Sequence, residues 1–225
     1  MCGRYTLHSR DRIRLEGTPA LDLPFEPRYN IAPSQTIVTI VNLGSGPELY
    51  PMVWGLIPSW SNDGKGFINA RAETLEERPS FSESFRLRRC LIPADGFFEW
   101  KRTGREKRPF YFQVDDEMPF AFAGIWDTWS NRGDVVTSCA IITTAANELV
   151  GELHDRMPAI LPHEFQDAWL NSKTDRAMLM RMLKPFPSLK MKTHPVSSIV
   201  NSPDNDTPDL LIRVDTEVGK TLSLF

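Results

Sequence analysis

Apolar β-branched and aromatic residues recur in short runs along most of the chain, separated by Gly, Pro and Asn, a pattern that predicts short strands in hairpin order. The run 36–42 reads as a strand, Gly44-Ser45-Gly46-Pro47 as a turn, and 49–54 as the returning strand. Further strands are expected at 97–101, 110–114 and 120–125, punctuated by Gly104 and Pro119. Residues 135–144 form the clearest buried strand, an apolar, β-branched run ending at polar Thr143 and Thr144. The spacing predicts helices at 7–16, 81–89, 165–170 and 176–183, the last ended by Pro185. Strand character returns at 191–200. The Pro- and Asp-rich tail, 201–225, is expected to wrap the surface. Strands in hairpin order with helices at intervals predict an α+β fold. It is a single compact domain over 1–225, with a largely antiparallel, barrel-like β-sheet core flanked by short helices.

Composition narrows the class of function. With 41% hydrophobic and 24% charged residues, the 225-residue chain has the balance of an ordinary water-soluble domain. The formal charge of −3 supplies no bulk attraction to nucleic acid, so a nucleic-acid site needs a local basic cluster. Arg86, Arg88 and Arg89 give the predicted helix such a cluster. The cysteines at 2, 90 and 139 form no CxxC pair and have no ligand spacing with the four histidines, which argues against a zinc site or a disulfide framework. An odd cysteine count without a signal peptide points to the cytoplasm, and no apolar run is long enough to span a bilayer.

Several short segments carry chemistry. Removal of Met1 leaves Cys2 with an α-amine and a thiol on adjacent carbons, a 1,2-aminothiol that condenses with an aldehyde and closes to a thiazolidine. The thiolate is alternatively a nucleophile for an amide carbonyl. Glu99, between Phe98 and Trp100, faces away from both if its segment is a strand, alongside Phe97 and Lys101; an aromatic-lined cleft would raise its pKa. His154, Asp155 and Arg156 place an imidazole, a carboxylate and a guanidinium together ahead of Pro158. Asn69 and Arg71 share a face if extended. Trp60 closes a Gly/Pro loop as a stacking candidate, and Trp54 reads as core. Each segment alone also has an ordinary explanation: a disordered terminus, a solvated strand face, a surface ion pair, a turn-capping Asn, a core tryptophan.

The ordered set Met1-Cys2-Gly3-Arg4-Tyr5, Tyr29-Asn30-Ile31-Ala32-Pro33, Trp54-Gly55-Leu56-Ile57-Pro58, Asn69-Ala70-Arg71-Ala72-Glu73-Thr74, Pro93-Ala94-Asp95-Gly96-Phe97-Phe98-Glu99-Trp100 and His154-Asp155-Arg156-Met157-Pro158 resembles the SOS-response-associated peptidase (SRAP) family, and Val200-Asn201-Ser202-Pro203 also fits. The resemblance implies a DNA-damage response protein that binds single-stranded DNA and crosslinks covalently to abasic sites, with self-processing of Met1 and lyase-like chemistry. By the same resemblance Cys2 is the crosslinking residue, Asn69 holds the sugar remnant, Glu99 moves protons, and His154 is associated with opening the sugar ring. Arg4, Arg71 and Arg156 match DNA-backbone contacts, and Trp60 a stacking aromatic. Asn30, Pro33 and Thr143 fall where the family lines the same cleft. Some members have a second tryptophan where this chain has Ser61. A monomer without metal, cofactor or membrane association is expected. Two rival readings are a cysteine peptidase acting on other proteins and a non-covalent reader of modified bases, which has no use for a free N-terminus.

Overall fold

The computed structural model describes residues 2–9, 26–104, 106–115 and 119–214. Among the described residues thirteen strands run in chain order: β1 (Tyr5–Leu7), β2 (Arg28–Ile31), β3 (Thr36–Asn42), β4 (Pro47–Trp54), β5 (Asn69–Arg71), β6 (Arg89–Ala94), β7 (Gly96–Thr103), β8 (Glu106–Val114), β9 (Phe120–Asn131), β10 (Asp134–Ala145), β11 (Arg156–Pro158), β12 (Ile160–Leu161) and β13 (Met191–Pro195). The α-helices are short: α1 (Ser82–Leu87), α2 (Glu148–Gly151), α3 (His163–Leu170) and α4 (Arg176–Met182). Among the described residues no helix is long and apolar enough to cross a membrane.

The strands form two sheets. A five-stranded sheet has the order β13-β8-β7-β1-β2, and an eight-stranded sheet the order β11-β10-β4-β3-β6-β9-β12. β9 also pairs with β10 over residues 124–131 and 134–141, closing β10, β4, β3, β6 and β9 into a ring. The expected mixed α+β architecture with a barrel-like core is therefore present. Closure removes open edges from the central strands. One departure is that β4 and β5 both pair with β10 in parallel, not in hairpin fashion.

The predicted strands at 36–42, 49–54, 97–101, 110–114, 120–125 and 135–144 all lie within observed ones; the helices expected at 81–89 and 176–183 appear with trimmed ends, and that at 165–170 begins earlier, at His163. Two expectations need correction. Arg89 leaves the helix and opens β6, a strand buried at every position and central to the ring, which pairs with β9 across Pro93, Pro93 facing Ala121. The strand at 191–200 stops at Pro195 and turns into a 3-10 helix, Ser198–Asn201. Of the helix expected at 7–16, Leu7 ends β1, and residues 10–16 lie outside the described residues, as do 215–225 of the tail.

Residues 196–214 are more than a surface wrap. Val196, Val200 and Leu210 bury against Phe98 and Tyr111 on the outer face of the five-stranded sheet. The Asp206 carboxylate receives the Arg28 guanidinium and the backbone amides of Tyr29 and Asn30. These contacts stitch β2 to the tail, beside β1, the strand that follows Cys2.

Candidate functional site

β1 places the N-terminus. Tyr5 pairs with Phe97 on one side and Ile31 on the other, and Phe98 N–H donates to Arg4 O at 3.0 Å. Cys2 is thereby drawn into the core at 0% exposure, next to the strand that carries Glu99. Its Sγ lies 3.8 Å from Arg4 O. Burial, and secondarily the charge of Glu99, pushes the Cys2 thiol well above its ordinary range, so the thiol form predominates at neutral pH.

The alternation expected for β7 holds. Phe97 stacks on Phe112 on the inner face, Phe98 and Trp100 belong to the outer cluster under the tail, and Glu99 points inward at 3% exposure. Burial raises the Glu99 pKa, partly offset by positive charge that includes His154. Glu99 and His154 line one open cleft of about 760 Å³, with Trp100, Leu153 and Asn201 among its walls. His154 Nδ1 accepts the Arg156 amide N–H at 3.0 Å and lies 2.9 Å from Asp155 Oδ1. The two contacts require different protonation of Nδ1.

Asn69 approaches from the other sheet. β5 runs parallel to β10, with Asn69 beside Ile141 and Arg71 beside Thr143. Asn69 Nδ2 donates to Cys2 O at 2.9 Å, so one hydrogen bond joins the two sheets at the N-terminus. Its Oδ1 is buried and accepts no hydrogen bond among the described residues. A buried amide oxygen in that state costs on the order of 1–3 kcal/mol, which a hydroxyl donor on a bound molecule would relieve.

The expected DNA-contact residues divide by what they already hold. Arg71 is exposed and makes no ion pair among the described residues. Trp60 is 59% exposed on its loop, whereas Trp54 is core. That loop is pinned by the Ser59 amide on Asp127 at 2.9 Å and by Trp129 Nε1 on Ser61 O at 2.7 Å. Arg156 makes a fork on Glu73 at 2.7 and 2.8 Å and also donates to Thr143 O at 2.6 Å. Arg4 donates to Asn30 Oδ1 at 2.8 Å, Val200 O at 2.9 Å and Asn201 O at 3.0 Å. Asn30 is fully buried, and its amide donates to Val200, Ser202 and Asn205 carbonyls. Thr143 is also fully buried, and Pro33 is half-buried in the turn between β2 and β3. Asn30 and Thr143 thus sit behind the cleft surface.

The helical arginine cluster is dispersed. Arg89 donates to the carbonyls of Phe85, Arg86, Trp169 and Asn171, and Arg88 pairs with Glu83 and Asp127, leaving Arg86 exposed. Two parts of the site were given no role in the sequence reading, although Asn201 lies in the segment 200–203 that fits the family. Asn201 receives Trp100 Nε1 at 2.8 Å and so brings the tail to the cleft, and Lys101, Arg102 and Lys107 form a basic wall of it. The run 101–108 signalled the latter, with five basic residues against one Glu.

The family model described as "SOS response associated peptidase (SRAP)" matches residues 1–203. The abasic site processing protein YoqW of Bacillus subtilis is 46% identical over 94% of this chain and 99% of its own. The abasic site processing protein YedK of Escherichia coli is 30% identical over 94% of this chain and 99% of its own. Among solved structures, a protein from Bacteroides thetaiotaomicron superposes with a TM-score of 0.78 at 33% identity, covering 85% of this chain and 87% of that one. With the matched region running from the N-terminus to residue 203, the chain belongs to the SOS response associated peptidase family.

Proposed function

We propose that this protein processes abasic sites in single-stranded DNA by covalent capture at Cys2. With Met1 removed, the Cys2 amine adds to the aldehyde of the ring-opened abasic sugar, giving a carbinolamine. Glu99, whose burial favours the protonated form, gives its proton to the departing hydroxyl, and water leaves. The sulfur then adds to the imine carbon while the thiol proton returns to the Glu99 carboxylate. The net change is aldehyde plus aminothiol giving thiazolidine and one water, with Glu99 restored. A thiol held protonated suits this order, since the amine attacks first and the sulfur needs a base only at ring closure.

The observation that carries the reading is Asn69. It holds the Cys2 carbonyl with its amide nitrogen and offers a buried, unused oxygen at the same point, where a sugar hydroxyl would fit. His154, oriented by the Arg156 amide on its Nδ1 and lining the same cleft as Glu99, supplies the imidazole for opening the sugar ring. Removal of Met1 is the self-processing that the family name implies. We assign it to the same groups, acting on a single protein copy in a reducing compartment that leaves all three cysteines free.

The test is a denaturing gel after mixing protein, with Met1 removal checked by intact mass, and a single-stranded oligonucleotide carrying one abasic site. A heat-stable band is expected for the wild type and none for Cys2→Ala, which retains non-covalent binding. A Cys2→Ala band of wild-type intensity would overturn the assignment.

A further inference from the structure

The β7–β8 hairpin departs from what its own stability favours. In the antiparallel register Lys101 lies opposite Arg108, and Arg102 lies opposite Lys107. Like charges directly across a strand pair repel and weaken the pairing. One such pair is ordinary, but two in succession, on opposite faces of the ribbon, are not. No carboxylate relieves them: Lys101, Arg102, Lys107 and Arg108 make no ion pair among the described residues, and Lys101, Arg102 and Lys107 are exposed. Arg108 leans on the Phe110 ring at 5.9 Å. Glu106 stands opposite Thr103. Arg105, one further basic residue of the sequence run, lies outside the described residues.

The position of this charge is specific. The hairpin grows directly out of Glu99, so Lys101, Arg102 and Lys107 wall the cleft that holds Glu99 and His154. Glu152 and the exposed Asp155 lie across the same cleft and do not pair with the basic wall. The whole chain carries a net charge of −3, so this concentration is local. A ribbon that keeps unneutralised cations at a cost in pairing energy gains most when a polyanion supplies the missing counter-charge.

We propose that the β7–β8 hairpin is a basic arm that binds backbone phosphates of the nucleic-acid strand beside the captured lesion. The proposal rests on the abasic-site reading for its ligand and goes beyond it by assigning a binding surface outside the residues that the family resemblance marks. The arm's lysines and arginines act as phosphate contacts and carry no sequence preference.

The experiment compares the wild type with Lys101→Gln/Arg102→Gln/Lys107→Gln and with a charge-preserving control, Lys101→Arg/Arg102→Lys/Lys107→Arg. Anisotropy of a labelled, undamaged oligothymidylate is read across a salt series. Each cation–phosphate interaction removed makes the log K against log[salt] slope shallower by about 0.7, so removing three predicts a change of about 2. The control should keep the wild-type slope. Removing the like-charge pairs should leave the melting temperature of the Gln variant equal to or above that of the wild type, which excludes misfolding as the cause. Coincident slopes for the Gln variant and a wild type that crosslinks an abasic oligonucleotide would overturn the arm alone. A wild type that binds with the steep slope but never crosslinks would leave the arm standing and remove the capture chemistry. Absence of both binding and crosslinking would remove both.

Discussion

Replacing Asn30 by Ala separates a structural role from a DNA contact. In the fold the Asn30 amide stands between β2 and the tail, with Oδ1 receiving Arg4 Nη1 at 2.8 Å and Nδ2 reaching three carbonyls at 2.8, 3.0 and 3.2 Å. Two N–H groups cannot serve three acceptors fully, so the side chain supplies about two neutral hydrogen bonds and one charge-assisted bond. At roughly 1 kcal/mol for each neutral bond and 1.5–3 for the charged one, the truncation costs about 3–5 kcal/mol. Water reaching the partly exposed acceptors lowers this, so about 3 kcal/mol is expected. For a domain of this size each kcal/mol moves the melting temperature by roughly 2–4 °C, which gives a fall of about 6–12 °C. Thermal unfolding followed by circular dichroism, with a urea midpoint as a second readout, measures it. Binding of undamaged single-stranded DNA is read well below the melt. A melting temperature within about 2 °C of wild type would refute the reasoning, a shift that corresponds to less than about 1 kcal/mol. If weakened DNA binding accompanied that unchanged stability, Asn30 would be a strand contact after all.

Three further outcomes follow from the geometry. Glu99→Gln should raise stability at neutral pH and leave it unchanged in acid. With a native pKa above the ordinary 4.5, Glu99 holds its proton in the folded chain after the unfolded chain has lost it, so wild-type stability falls as pH rises from about 4.5 through the native value. Melting curves of the two proteins across pH check the sign, and a Gln variant less stable than wild type at neutral pH contradicts it. Trp60→Ala should weaken binding of undamaged single-stranded DNA by about 1–3 kcal/mol, seen in anisotropy, with little change in melting temperature because the ring is mostly exposed. Gly96→Ala should destabilise the protein by about 1–3 kcal/mol, because the new methyl would lie 2.3 Å from the buried Tyr111 hydroxyl oxygen and 2.6 Å from Phe112 O. A denaturant midpoint equal to wild type would show that the sheet relaxes around it.

Local patterning was sufficient for the strands at 36–42 and 135–144, whose β-branched, apolar runs have few alternatives, and for setting Glu99 on the face opposite Phe98 and Trp100, while the fold decided that this face is buried. The order of motifs from Cys2 to His154 likewise carried the family in the sequence itself. Tertiary structure decided the rest. β6 is a central strand because the ring buries it on both sides, and no local signal outweighs Pro93 within it. The parallel pairing of β5 with β10 sets Asn69 against Cys2, a contact across 67 positions that no short window contains. The arginines show the same limit most clearly. Sequence makes Arg4, Arg71, Arg89 and Arg156 equal as cations. Only the folded chain determines that Arg4 faces the tail, Arg89 caps helix carbonyls, Arg156 grips Glu73, and Arg71 stays in solvent, because a guanidinium takes whichever acceptors the surrounding elements bring to it.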